Sequence, residues 1–117
     1  MGGETIMQNR IRSVKILEEV IGYFIHHEID HLNIVFFADD ERMDITVSGE
    51  AAMPPRDLEH LHELLNEPRK PEYEEYYWSL LGATGKRQEF QLLGSLVDSG
   101  TTLWKDGNLS INVKRTY

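Results

Sequence analysis

Between residues 11 and 31, apolar side chains return at three- and four-residue intervals (Ile11, Val14, Leu17, Ile21, Phe24, Ile25), with no proline and one glycine among them. That spacing predicts one long amphipathic helix with this row as its buried stripe. The pattern then changes. Residues 32–38 (LNIVFFA) are almost continuously apolar and rich in branched and aromatic side chains, which predicts a strand buried on both faces. Asp39, Asp40 and Glu41 mark a turn, after which Met43, Ile45 and Val47 alternate with polar neighbours. The alternation predicts the second strand of a hairpin, buried on one face. Residues 49–55 should break the sheet. Leu58, Leu61, Leu64 and Leu65 predict a short helix, which Pro68 and Pro71 separate from an aromatic helix at 72–81 ended by Gly82 and Gly85. Phe90, Leu93, Leu96 and Val97 form another helical stripe. Asp106-Gly107 lies between strand-like runs at 101–105 and 108–114, a two-residue hairpin signal, because both turn positions want positive φ.

The order helix, hairpin, helices, helix, hairpin predicts an α+β fold: a two-layer sandwich in which helices pack on one face of a mixed, mostly antiparallel sheet. At 117 residues, 40% of them hydrophobic, the chain fits one domain, 1–117, with one core. Composition narrows the function classes. Twelve Lys and Arg against twenty Asp and Glu give a formal charge of -8, which argues against a nucleic-acid partner. No apolar run nears the roughly 20 residues needed to cross a bilayer, and residues 1–7 lack the pattern of a signal peptide. A cytoplasmic protein with no membrane partner is expected. The chain has no cysteine, which removes thiol nucleophiles, thiolate ligands and disulfides and fits a reducing compartment.

This layout resembles the GHKL ATPases, the superfamily of histidine-kinase catalytic domains and anti-sigma-factor kinases of bacterial signal transduction. The family's first helix carries an E-x-x-x-N-x-x-[KR]-H pattern. Residues 19–27 (EVIGYFIHH) align with it, with Glu19 and His27 matching and Tyr23 at the metal-holding Asn. Where the family has a D-x-G-x-G turn that reads adenine, residues 47–52 (VSGEAA) lack the Asp and keep Gly49. In register with the glycines of its phosphate loop stand Arg87 and Glu89, ahead of the helix at 90–98. A carboxylate there would repel phosphate oxygens. The resemblance therefore implies the GHKL architecture with its nucleotide motifs lost, and no ATP or Mg as cofactor. A serine kinase with variant ATP contacts, Glu19 among them, is an alternative.

A competing motif sits on the same stretch. Residues 27–31 (HEIDH) spell H-E-x-x-H, in which two His one helical turn apart hold a metal and the Glu acts as general base. The string HEIDHLN is similar to the metal-binding helix of peptide deformylases, whose third ligand is a cysteine. That resemblance implies a metal-dependent hydrolase with His27 and His31 on zinc or iron and Glu28 catalytic; in this chain His60 or His62 are the candidates for a further ligand. In either case Glu19, Tyr23, His27 and His31 are spaced by four and would form one row along a helix. Together with Gly49 that row is the expected lining of a vestigial pocket.

Residues 72–78 (EYEEYYW) place four aromatic and three acidic side chains in seven positions. Tyr73, Tyr76, Tyr77 and Trp78 are candidates for a protein-binding patch, since Tyr and Trp are enriched in interface hot spots. The alternative is a helix burying Tyr73, Tyr77 and Trp78 beneath an acidic face. The function expected from the whole is a non-catalytic regulatory or scaffolding domain, with no cofactor, that binds protein partners, a second copy of itself among the candidates.

Overall fold

The computed structural model describes residues 2–69, 72, 74, 76, 78 and 89–117. Helix α1 spans Gly2–His26, followed by strands β1 (Leu32–Ala38) and β2 (Arg42–Glu50), helix α2 (Leu58–Leu65), helix α3 (Glu89–Leu96), and strands β3 (Ser99–Lys105) and β4 (Asn108–Thr116). The fold is α+β, with one four-stranded sheet in the order β1-β2-β4-β3. Each of its pairings is antiparallel, so among the described residues the sheet is not mixed. Both hairpins end where turn chemistry places them. Asp106 (φ 52°) and Gly107 (φ 80°) make the two-residue turn of β3–β4, while Asp39 accepts from the backbone N–H groups of Glu41 and Arg42 at 2.8 and 2.9 Å to close β1–β2.

The helices cover one face of the sheet. Met43, Ile45 and Val47 of β2 and Leu109, Ile111 and Val113 of β4 meet Ile16, Val20, Tyr23 and Phe24 of α1, Leu61 and Leu65 of α2, and Leu93 and Leu96 of α3 in one buried cluster. The opposite face carries Asp44, Thr46, Asn112 and Lys114, where the Asn112 amide donates to Asp44 Oδ1 at 2.7 Å and to Thr46 Oγ1 at 2.9 Å.

Three expectations are corrected. The helix read at 11–31 runs instead from Gly2 to His26. Its buried row is Ile16, Val20, Tyr23 and Phe24, while Ile11, Val14 and Ile25 are exposed. The helix has two apolar rows, and the buried one includes Asn9 and Ser13, which periodicity of apolar residues alone passes over; the Ser13 hydroxyl finds Tyr117 Oη at 2.6 Å. Strand β1 was expected to be buried on both faces and is an edge strand exposed on both, with Ile34, Val35, Phe36 and Phe37 at 43, 68, 40 and 42% of full exposure. An unbroken apolar run normally means neighbours on every side. Here, among the described residues, β1 has one strand neighbour, and its outer face belongs to the bare side of the sheet.

Candidate functional site

The row expected to line a pocket begins well. Glu19 and Tyr23 are buried on α1, and the Tyr23 hydroxyl donates to Asp57 Oδ1 at 2.7 Å. Burial, and then the Asp57 carboxylate facing the same oxygen, push the tyrosine's ionisation far above its ordinary range. The His27 ring stacks at a tilt on Tyr23, centroids 4.6 Å apart. Its Nε2 lies 3.2 Å from Asp57 Oδ1, near enough for an ion pair when protonated but without hydrogen-bond alignment. Tyr23, His27 and Asp57 thus tie the end of α1 to the start of α2. Asp57 was not singled out in the sequence, and nothing local to it signals the contact.

The helix then stops. Ile29 N–H donates to Phe24 O at 3.0 Å and Glu28 N–H to Ile25 O at 2.9 Å, with Glu28 in the left-handed region at φ 60°. These are the two bonds of a Schellman ending, with a glutamate where glycine is usual. Its hydrophobic partner is present too, since both Ile29 and Phe24 are buried. Two corrections follow. HEIDH begins where α1 has ended, and none of its five residues is helical, so His27 and His31 do not stand one turn apart on a helix face. Glu28 is exposed at the turn and His31 is exposed at the entry to β1. Among the described residues there is no group of three or more metal-ligating side chains, and His60 and His62 are exposed on α2. The second correction concerns Gly49. A Cβ there would meet Ile29 Cγ2 at 2.7 Å and His31 O at 2.8 Å, so the turn lies directly on β2, and the space expected beside Gly49 is occupied by the chain itself.

The aromatic and acidic segment divides. Tyr73 and Tyr77 lie outside the described residues. Tyr76 is 63% exposed, but Trp78 is buried. Its ring lies beneath two guanidinium groups, Arg12 at 5.0 Å and Arg115 at 5.2 Å. Arg115 in turn bonds Leu96 O at 2.6 Å and Glu74 Oε1 at 2.6 Å. Trp78 is a core residue held by cation–π contacts, a correction to its expected place in a binding patch. Of the two positions in register with the phosphate-loop glycines, Glu89 opens α3, and Arg87 lies outside the described residues.

Two of the surface hollows lie among the described residues. One, of about 440 Å³, lies between Pro54, Arg56, Leu58, Glu59, His62 and Thr102. The other, of about 410 Å³, opens on the bare face of the sheet between Val35, Phe37, Arg42, Asp44, Asn112 and Lys114. Neither contains the row Glu19, Tyr23, His27 and His31. No described helix is long and apolar enough to cross a membrane. The chain matches no family model, no curated protein and no solved structure.

Proposed function

We propose that this chain is a non-catalytic regulatory or scaffolding domain that works in the cytoplasm by binding protein, built on a GHKL ATPase layout whose nucleotide grip has been replaced. The observation that carries the reading is strand β1: an uncharged strand of seven residues at the edge of the sheet, with Ile34, Val35, Phe36 and Phe37 all exposed. A monomer rarely leaves so much apolar surface and so many unpaired backbone groups together. The exposed row Ile11, Val14 and Ile25 on α1 adds to the apolar surface in search of a partner. Against catalysis stand Tyr23 at the position of the family's metal-holding Asn, hydrogen-bonded to Asp57, and the closed contact over Gly49.

Calorimetric titration with Mg-ATP and with Mg-ADP should give no binding in the micromolar range. Micromolar binding accompanied by release of phosphate overturns the reading in favour of a kinase or ATPase. Elemental analysis of the purified protein tests the hydrolase alternative: stoichiometric zinc or iron that disappears in His27→Ala would place a metal centre where we place a helix end.

A further inference from the structure

Strand β1 has one hydrogen-bonding edge in use. Asp39 N–H donates to Arg42 O at 3.0 Å, which makes residues 39 and 42 a hydrogen-bonded pair of the antiparallel ladder. Alternation along the register Phe37↔Asp44, Val35↔Thr46, Asn33↔Ser48 then turns the backbone groups of Asn33, Val35 and Phe37 toward β2. Those of Leu32, Ile34, Phe36 and Ala38 point away from the sheet, along an edge that β2 does not cover and that, among the described residues, no other strand occupies.

We propose that this edge is filled by β1 of a second copy of the same chain, running antiparallel about a two-fold axis at Val35 and joining two sheets into one of eight strands. This deepens the protein-binding reading above and rests on it. Four features of the strand favour a copy of itself. First, with the axis at Val35, the outward groups of Ile34 face those of Phe36 in the partner copy, and Leu32 faces Ala38, so each outward residue meets another outward residue. Val35 meets its own counterpart in a position where neither backbone needs the other. Val35 is also the most exposed large apolar side chain of the strand.

Second, no charge lies anywhere in Leu32–Ala38, so the two-fold brings no like charges together within the strand. Third, the ends are complementary: the same register sets His31 of one copy beside Asp39 of the other. Asp39 holds its negative charge firmly, because the backbone N–H groups of Arg42 and Glu41 keep its carboxyl below the usual range. Asp40 has already entered the hairpin bend and leaves the line that Asp30 of the second copy would follow. Fourth, pairing covers exposed side chains on both faces at once, Ile34 and Phe36 on the helical side and Val35 and Phe37 on the bare side. The -8 carried by each chain lies outside the strand and opposes approach at long range, so association should strengthen as salt is added.

The test uses the full chain. Sedimentation velocity across the micromolar range should show a monomer–dimer equilibrium that tightens between low and physiological salt. Val35→Lys places two ammonium groups together at the axis and should weaken the dimer about a hundredfold, with the circular dichroism of the monomer unchanged. Because the chain has no cysteine, Val35→Cys gives a second, independent readout. Cα atoms of such a facing pair lie about 4.5 Å apart, within disulfide range, so mild oxidation should link two chains, whereas Thr101→Cys on the opposite edge strand should not link. A protein that stays monomeric throughout, a dimer that Val35→Lys leaves intact, or equal cross-linking through residue 101 overturns the proposal. Failure here leaves the protein-binding reading to a different partner, and binding and turnover of Mg-ATP would sink that reading while leaving a dimer in place.

Discussion

The sheet has two edges, and they are treated differently. Strand β3 is covered: α2 packs against it, and the side chain of Asn66, just past the end of α2, accepts from Gly100 N–H at 3.2 Å and donates to Gly100 O at 2.8 Å. Gly100 is one of the residues whose backbone points outward, since the Asp106-Gly107 turn makes Lys105 and Asn108 the hydrogen-bonded pair and the ladder alternates from there. One amide side chain thus does at that edge what a further strand would do. Trp104 on the same strand donates from Nε1 to Ala51 O at 2.8 Å, and Lys105 brings a charge. Strand β1 has no charge and no proline, and among the described residues no side chain caps its outer edge as Asn66 caps β3. Bare edges are usually blunted by charge, bulges or cover. That one edge is sealed by a dedicated contact and the other is left apolar and open points to a use for the open one.

The contrast breaks most severely at Gly100. A Cβ there would lie 2.6 Å from both Cβ and Cδ1 of the buried Leu65. Gly100→Ala should therefore push α2 off β3 and cost about 2 to 3 kcal/mol in urea unfolding. A truncation at the open edge, Val35→Ala, should cost about 0.5 kcal/mol or less in the monomer. Equal losses at the two positions would mean that the edges are not different in kind.

Asn66→Ala is a milder probe of the same seal. It removes both Gly100 bonds and a third, from Asn66 Nδ2 to His62 O at 2.8 Å at the end of α2. A loss of about 1 to 2 kcal/mol is expected. The more telling readout is amide hydrogen exchange: the Gly100 N–H should move toward the fast exchange expected of Ile34 and Phe36 in monomeric Val35→Lys. An unchanged rate at Gly100 would show that α2, and not Asn66, protects this edge.

How far these edges could be read from the chain depends on how local their causes are. Both hairpins, α2 and α3 were legible, because Asp-Gly, the Asp39 turn and leucines at helical spacing act within a few residues. The standing of β1 in the sheet was not. LNIVFFA has the composition of a central strand, and only the order β1-β2-β4-β3 puts it outside. The Asn66 contact joins residues 34 positions apart, so it needs the topology before it can be seen. The candidate site failed for a local reason that carries no sequence mark. Helices usually end on glycine when the chain turns left-handed, and Glu28 at φ 60° takes that place, so a helical metal motif and a helix end look alike on paper. Trp78 was weighed between core and surface, and two arginines, one of them 37 residues downstream, settled it as core.

The smallest expected effect separates the hairpins that carry the two edges. The turn leading from β1 is held by the Asp39 carboxylate, whose ionisation is favoured by its bonds to Arg42 N–H and Glu41 N–H; the turn leading from β3 is held by backbone conformation at Asp106 and Gly107. A carboxyl whose folded pKa is depressed contributes stability that is fully present above its unfolded value, about 4, and is lost as pH falls through the folded value. The β1–β2 end of the sheet should therefore loosen below about pH 4 while the β3–β4 turn does not respond. In NMR spectra of monomeric Val35→Lys taken down an acid series, the amide signals of Glu41 and Arg42 should shift toward random-coil positions before those of Gly107 and Asn108. Adding Asp39→Asn should flatten that difference, because the asparagine side chain keeps an acceptor for both N–H groups but has no charge to lose. If the two turns titrate together in both proteins, the charge on Asp39 is not what holds the open edge in shape.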